Sequence, residues 1–264
     1  MANSGKSNRY NIRVVDRAIK VLNMLADGKP RTLTELSKEI EINSSTTFRL
    51  LATLLNHNYV QQDGASGQYT LGIACLELAR AFRSSDEIRQ VAIPLLEDLR
   101  NSTMETVHLA VLDGIEVIYV EKLEGLHAIG LMSSRVGRRA PAHCTGIGKA
   151  LLANLDPETL SAQLDGAELA SFTDNTINDK DELLKHLQKA REVGFAFDHG
   201  EHEKDVRCVA APIFNQTGEA VAAISVSGPK NRLDPIKTNT NLIEETKETA
   251  RAISMKLGYD KSKH

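Results

Sequence analysis

The sequence predicts an α+β protein of two domains. Three helical patterns followed by two short strand patterns open the chain, an amphipathic helix follows them, and the remainder alternates strand hairpins with helices. With 264 residues there is room for two domains, each burying its own core. The boundaries fall at 10–72 for the first domain, 73–86 for a helical linker and 87–260 for the second domain.

The first helix is expected at Val14–Ala26. Thr32 with Glu35 fits a capping box, and Leu33, Leu36 and Ile40 then recur at helical spacing. Ile42 and Asn43 supply a turn, and Asn43 or Ser44 caps the next helix, whose apolar face reads Phe48, Leu51, Leu54 and Leu55. Its first turns are expected to expose Ser44, Ser45, Thr46, Thr47 and Arg49. Short hydroxylated residues and an arginine suit a helix whose N-terminal end enters a major groove and meets base edges and phosphates. Taken alone, this stretch equally describes an ordinary helical hairpin. Tyr59–Gln62 and Gln68–Leu71 favour the first reading, because they form a strand pair around the Asp63–Gly67 turn. Helix, helix, helix, hairpin is the order of a winged helix-turn-helix. Charge agrees: residues 1–75 hold nine Lys/Arg against six Asp/Glu, while the rest hold 23 against 29. From Ser44 to His57 there is one arginine and no acid, so that face approaches phosphate without repulsion.

Ile73–Phe82 reads as an amphipathic helix with Ile73, Leu76 and Phe82 on its apolar side, a stripe suited to a dimer contact or to packing on its own domain. Ser84 and Glu87 fit a second capping box, and Pro94 should kink the following helix or delay its start. Strands then dominate. Thr106–Leu112 and Ile115–Lys122 flank the turn signal Asp113-Gly114, Ala128–Met132 reads as a third strand, and Arg207–Phe214 pairs with Ala220–Ser227 around Asn215–Gly218. Helices fit at Ile147–Asn154, Pro157–Leu164, Asp179–Val193 (opened by an Asp179/Glu182 box) and Pro235–Leu257. Two hairpins argue for an antiparallel sheet with helices packed on it, against a parallel doubly wound sheet.

Two clusters in the second domain carry chemistry. In Gly137–Ala150 a loop rich in Gly, Pro and Thr runs into a helix, whose first backbone N–H groups favour an anion. Gly146 and Gly148 allow close approach to the backbone, for a ligand or for packing. A Walker A phosphate loop is excluded by identity, since position 143 is His and position 150 is Ala. In the second cluster, Asp198–Ser227, Cys208 opens an apolar strand, and Ser225 and Ser227 share one face of another. Such residues place donors in an apolar pocket or simply pack.

Several function classes recede. Cys75, Cys144 and Cys208 lack CxxC spacing and fit a reducing compartment, and no apolar run reaches membrane-spanning length, so a cytoplasmic protein without membrane contact is expected. His199, Glu201, His202 and Glu203 in HGEHE lack HExxH spacing, so neither a metal nor a cofactor is expected. Cys208 with His202 or His143 would be needed for a thiol enzyme, and nothing around Cys208 organises an oxyanion site, so no catalytic residue is assigned.

LTELSKEIEINSSTTFRLLATL, ETVHLAVLDG, VGRRAPAHCTGIGKALLA, VRCVAAPIF and AAISVSGP, in that order, resemble the IclR family of bacterial transcriptional regulators. The likeness covers Val14 to Tyr259. VGRRAPAHCTGIGK and ISMKLGY are most similar to the sugar-acid branch that includes the 2-keto-3-deoxygluconate repressor. The resemblance implies a winged helix-turn-helix, a helical linker and a GAF-like effector domain, working as a homodimer or homotetramer on double-stranded operator DNA. It implies effector contacts from Gly146 and Ile147 and, opposite them, from Asp198, Cys208, Ser225 and Ser227. The expected ligand is a small organic acid, with aromatic-acid or glyoxylate control as the alternative to sugar acids. Many relatives carry Gly where this chain has Asp205, which adds charge near the loop and tolerates positive φ poorly.

Overall fold

Helices α1 (Arg13–Leu25), α2 (Leu33–Glu39) and α3 (Ser44–Asn56) lead into a hairpin of β1 (Val60–Gln62) and β2 (Tyr69–Leu71). These elements come from a computed structural model, which describes residues 11–85, 87–126, 132–233 and 240–260. Thr32 and Glu35 close the capping box at α2, with Thr32 N–H donating to Glu35 Oε2 at 2.7 Å. Asn43 caps α3, its Oδ1 accepting from Thr46 N–H at 2.9 Å. The turn between them needs more than Ile42 and Asn43: Glu41 takes φ +55°, an unusual conformation for a residue with a side chain. Val21, Leu25, Leu36, Leu50, Leu51, Leu54, Val60 and Tyr69 form the core of this unit.

Two expectations about α3 are reversed. Thr47 is fully buried, its hydroxyl donating to Asn43 O at 3.1 Å, so it belongs to the core and not to the exposed face. Phe48, expected in the apolar stripe, stands 56% exposed. The stripe that packs inward is instead Thr47, Leu50, Leu51 and Leu54. Helix α4 (Ile73–Ser85) continues from the hairpin, anchored by Ala74 N–H on Asn58 O at 3.0 Å.

The described residues divide into two compact units, one up to residue 85 and one from residue 87 onward. In the second, α5 (Glu87–Thr103) runs through Pro94 without a delayed start. The expected partner of its cap, the Ser84 side chain, lies outside the described residues, as do most of the strand expected at 128–132 and the helix start expected at 235. Six strands follow among the described residues: β3 (Thr106–Asp113), β4 (Glu116–Leu123), β5 (Arg139–Pro141), β6 (Ala196–Asp198), β7 (Val206–Phe214) and β8 (Ala220–Pro229). They form one antiparallel sheet in the order β5-β4-β3-β8-β7-β6. The first hairpin pairs Asp113 with Glu116, so its two-residue turn is Gly114-Ile115, one residue later than expected. Gly114 supplies the positive φ of 63° that this turn requires.

Both faces of the sheet are covered. Ala92, Leu96 and Leu99 of α5 with Ala250 and Ile253 of α9 (Thr240–Lys256) pack on Leu109, Val120, Ile213 and Ile224. On the opposite face lie α6 (Gly146–Leu152), α7 (Pro157–Leu164) and α8 (Lys180–Val193). Their Leu151, Leu152, Leu164, Leu183 and Leu187 pack on Ala110, Val117, Ala210 and Ala223. Each such leucine contributes about 1.5–3 kcal/mol through burial. The second face is lined by alanines, and that lets α6 sit close. Gly148 takes this further, since a Cβ there would lie 2.3 Å from Ala142 Cα. Of the two roles open to this glycine, packing is the one it fills.

Candidate functional site

Strand alternation places His108, Ala110, Ser225, Ser227 and Cys208 on the α6 side of the sheet, because their neighbours Leu109, Ile224 and Val226 face the other core. The register sets His108 opposite Ser225, and Cys208 opposite both Ser227 and, on its other side, Asp198. Gly146 begins α6 against this patch: a Cβ there would come within 3.3 Å of Cys208 Cβ. The result is a cavity of about 80 Å³. Gly146, Ile147, Asp198, Cys208, Ser225 and Ser227 all line it.

The polar groups in this cavity form two ends. At one end Thr145 caps α6, its Oγ1 accepting from Gly148 N–H at 3.3 Å, which leaves Gly146 and Ile147 at the helix's first turn, where N–H groups have no intrahelical partner. On the sheet, His108 Nδ1 lies 3.4 Å from both Ser225 Oγ and Ser227 Oγ, and its Nε2 lies 2.9 Å from Ser134 Oγ. Burial, with a smaller push from Lys122, lowers the His108 pKa to about 3, so the ring is neutral across the physiological range.

At the acidic end, Asp198 Oδ1 accepts from Gly200 N–H at 2.8 Å and Glu201 N–H at 2.7 Å. Burial outweighs those bonds and raises its pKa to about 7. Glu203 Oε1 accepts from Ser133 N–H and Oγ–H, at 3.0 and 2.5 Å, while its Oε2 is buried with no hydrogen-bond partner among the described residues. Arg138 also lines the cavity, its guanidinium donating to Ser133 O at 3.0 Å.

His108, Tyr119, Ser134, Arg138, Thr145 and Glu203 are cavity residues beyond the expected contacts. His108 carries a signal, a single polar residue within the otherwise apolar run Val107–Val111. Its meaning needs the pairing of β3 with β8, which local sequence does not encode. Asp205, where many relatives carry Gly, takes no positive φ and does not line the cavity. Its carboxylate pairs with Lys230 at 2.6 Å on the surface, which lowers its pKa.

Other chemistry finds little support here. Burial pushes the Cys208 thiol well up, the reverse of an activated nucleophile. His143 directs Nε2 to Ala170 O at 3.0 Å, and His202 meets Phe172 edge-on with ring centres 5.1 Å apart. In HGEHE, Glu201 pairs with Lys149 and His199 packs on Phe197. Among the described residues no group of three His, Cys, Asp or Glu is arranged to hold a metal ion, and no helix is long and apolar enough to cross a membrane.

In the first unit, α3 presents Ser44, Ser45, Phe48 and Arg49 to solvent, with Thr46 half-buried. Ser45 donates to the Asn43 side chain at 2.8 Å. Arg49 has no ion-pair partner among the described residues, and the strand pair β1–β2 flanks the helix as a wing.

Comparison with known proteins agrees with both units. Residues 14–64 match the model of the IclR helix-turn-helix domain, and residues 81–255 match that of the bacterial transcriptional regulator IclR C-terminal domain. The transcriptional regulator XynR of Escherichia coli K12 is 37% identical over 249 residues, covering 94% of this chain and 98% of its own. The regulator KdgR of the same organism is 34% identical over 250 residues, covering 94% of each. The crystal structure of an IclR homologue from Microbacterium hydrocarbonoxydans, complexed with 4-hydroxybenzoate, superposes with a TM-score of 0.80 at 28% identity, covering 92% of this chain and 98% of that one. A helix-turn-helix unit, an antiparallel sheet sheathed by helices, and likeness spanning both place this chain in the IclR family of transcriptional regulators.

Proposed function

We propose that this regulator is a repressor whose affinity for operator DNA is set by a small hydroxylated organic acid held in the cavity of the second unit. The observation that carries the reading is the pairing of two unlike ends in one cavity. The first turn of α6 and the serine hydroxyls offer donors to a carboxylate. Glu203 Oε2, buried with no hydrogen-bond partner among the described residues, calls for a donor in return, which a ligand hydroxyl supplies. A sugar acid such as 2-keto-3-deoxygluconate has both groups. A hydroxylated aromatic acid is the second reading, favoured by the 4-hydroxybenzoate bound to the Microbacterium hydrocarbonoxydans homologue.

On the DNA side, Ser44, Ser45, Thr46 and Arg49 are the proposed contacts, with Thr47 removed because its side chain is in the core. Residues 10–72 then form the reading head, 73–86 the link and 87–260 the effector domain. Ile73, Leu76 and Phe82 are exposed on α4, which fits contact with a second copy and a palindromic operator.

The test is a thermal-shift and calorimetric comparison of 2-keto-3-deoxygluconate, pyruvate, protocatechuate and 4-hydroxybenzoate. A ligand at about a hundred times its dissociation constant stabilises the native state by roughly 2.7 kcal/mol. The Ser225→Ala, Ser227→Ala double variant should lose affinity for the acid at least tenfold while binding DNA as before. Equal calorimetric affinity in the double variant would remove the serines from the site.

Asp198 gives the site a pH dependence. Its folded pKa, about 7, lies above the ordinary 3.8, so the neutral form prevails below 7 and the anion above it. An anionic ligand is repelled by the ionised form. Its affinity should be flat below pH 6 and fall by up to about tenfold per unit above pH 7. Asp198→Asn keeps the acceptor for Gly200 and Glu201 N–H and should make affinity level across this range. An unchanged pH profile in that variant would assign the titration elsewhere.

A further inference from the structure

Phe48 is the large apolar side chain of α3 that packing does not use. Leu50, Leu51 and Leu54 are buried and Leu55 packs against the core, while Phe48 is 56% exposed. It follows Ser45 by three residues and precedes Arg49, so the three share one outward stripe, continued by Ala52 and Thr53. No acid occurs between Ser44 and His57, and Arg49 has no ion-pair partner among the described residues. The surface around the ring is therefore suited to a polyanion, yet the ring itself offers nothing to a phosphate. What it offers is an apolar face.

We infer that Phe48 reads thymine: its ring packs on the C5-methyl group of a thymine in the major groove, beside the base or phosphate met by Arg49. In the major groove thymine alone presents a methyl, and of the apolar groups on this stripe, which include Ala52 and the Thr53 methyl, the Phe48 ring presents the largest face to one. The inference rests on α3 being the DNA-reading helix and deepens that reading by naming what part of the base one side chain detects. A second copy of the chain is the competing occupant of an exposed ring, and the test separates the two.

Operator sequences would be selected from random double-stranded DNA with the full chain. Each thymine of the half-site would then be replaced by uracil, which lacks only the methyl. At one or two positions the replacement should weaken binding about fourfold per half-site, the worth of burying one methyl-sized group. Phe48→Ala should bind the thymine operator that much more weakly and become indifferent to uracil there, while Phe48→Leu keeps part of the discrimination. Selection of a sequence that Arg49→Ala disrupts, with no uracil effect in the unaltered chain, would overturn the Phe48 inference and leave the DNA-reading helix intact. A Phe48→Ala variant that keeps the full uracil effect, or that changes only the sedimentation of the free protein, would overturn it equally. Failure to enrich any sequence would instead sink the reading of α3 itself, and the inference with it.

Discussion

Replacing Lys149 by methionine should destabilise the second unit by about 3–5 kcal/mol, the cost of stranding a buried charge. Lys149 and Glu201 are 3% and 2% exposed, and their side chains are in direct contact. Glu201 sits in the turn that forms the acidic wall of the cavity. Its N–H is held by Asp198, its carbonyl accepts from Thr176 Oγ1 at 2.6 Å, and its Oε2 has no hydrogen-bond partner among the described residues. Without the ammonium, the buried Glu201 carboxylate would lose the cation it pairs with. The urea midpoint should therefore fall sharply, and ligand affinity with it, because the Asp198–Glu203 turn would loosen. A Lys149→Met, Glu201→Leu double variant should recover much of the loss, since an apolar pair of similar volume removes the stranded charge. A single variant within about 1 kcal/mol of the parent would show that the turn relaxes or hydrates, and that the pair is not what fixes it.

Arg49→Ala should weaken operator binding by about 1–3 kcal/mol for each half-site, and so by up to twice that in a symmetric dimer. The guanidinium lies on the exposed stripe of α3 and is not committed to an ion pair among the described residues. It costs the folded unit nothing to aim it at DNA, and its removal should leave thermal stability unchanged. Base contact and phosphate contact are separable. Loss that is uniform across sequences, with a shallower salt dependence, marks a phosphate anchor, while relaxed specificity at one position marks a base contact. Unchanged affinity would exclude Arg49 from the interface.

Much of this architecture is legible in the chain itself, and the failures share a cause. The capping residues Thr32 and Asn43, the β1–β2 pair and both long hairpins follow from local patterns, which act over a few residues. Thr47 and Phe48 escape such patterns because an amphipathic helix assigned by residue type puts the larger apolar group inside. The actual inward direction of α3 is set by where α1 and α2 lie, and it admits a threonine. The turn at Gly114-Ile115 slips by one residue for a related reason: the pairing of Asp113 with Glu116 belongs to the sheet and not to the turn sequence. In the cavity, Ser225 and Ser227 are visible as a strand face. The roles of His108 and Glu203 are not, because one depends on a strand neighbour 117 residues away and the other on a turn whose polarity reads as solvated charge. Resemblance to relatives points to six cavity residues, and the geometry adds Glu203 Oε2, which has no hydrogen-bond partner among the described residues.

The most direct test of a DNA-binding regulator governed by an acid is fluorescence anisotropy of the full chain on its selected operator, with and without a saturating acid that stabilises the protein in the thermal screen. The expected result is sequence-selective binding whose dissociation constant rises at least tenfold with the acid, a coupling of about 1.4 kcal/mol, and does not change in the Ser225→Ala, Ser227→Ala variant. Operator affinity that is identical with the acid bound and absent would contradict it, because the cavity would then hold a ligand without governing DNA.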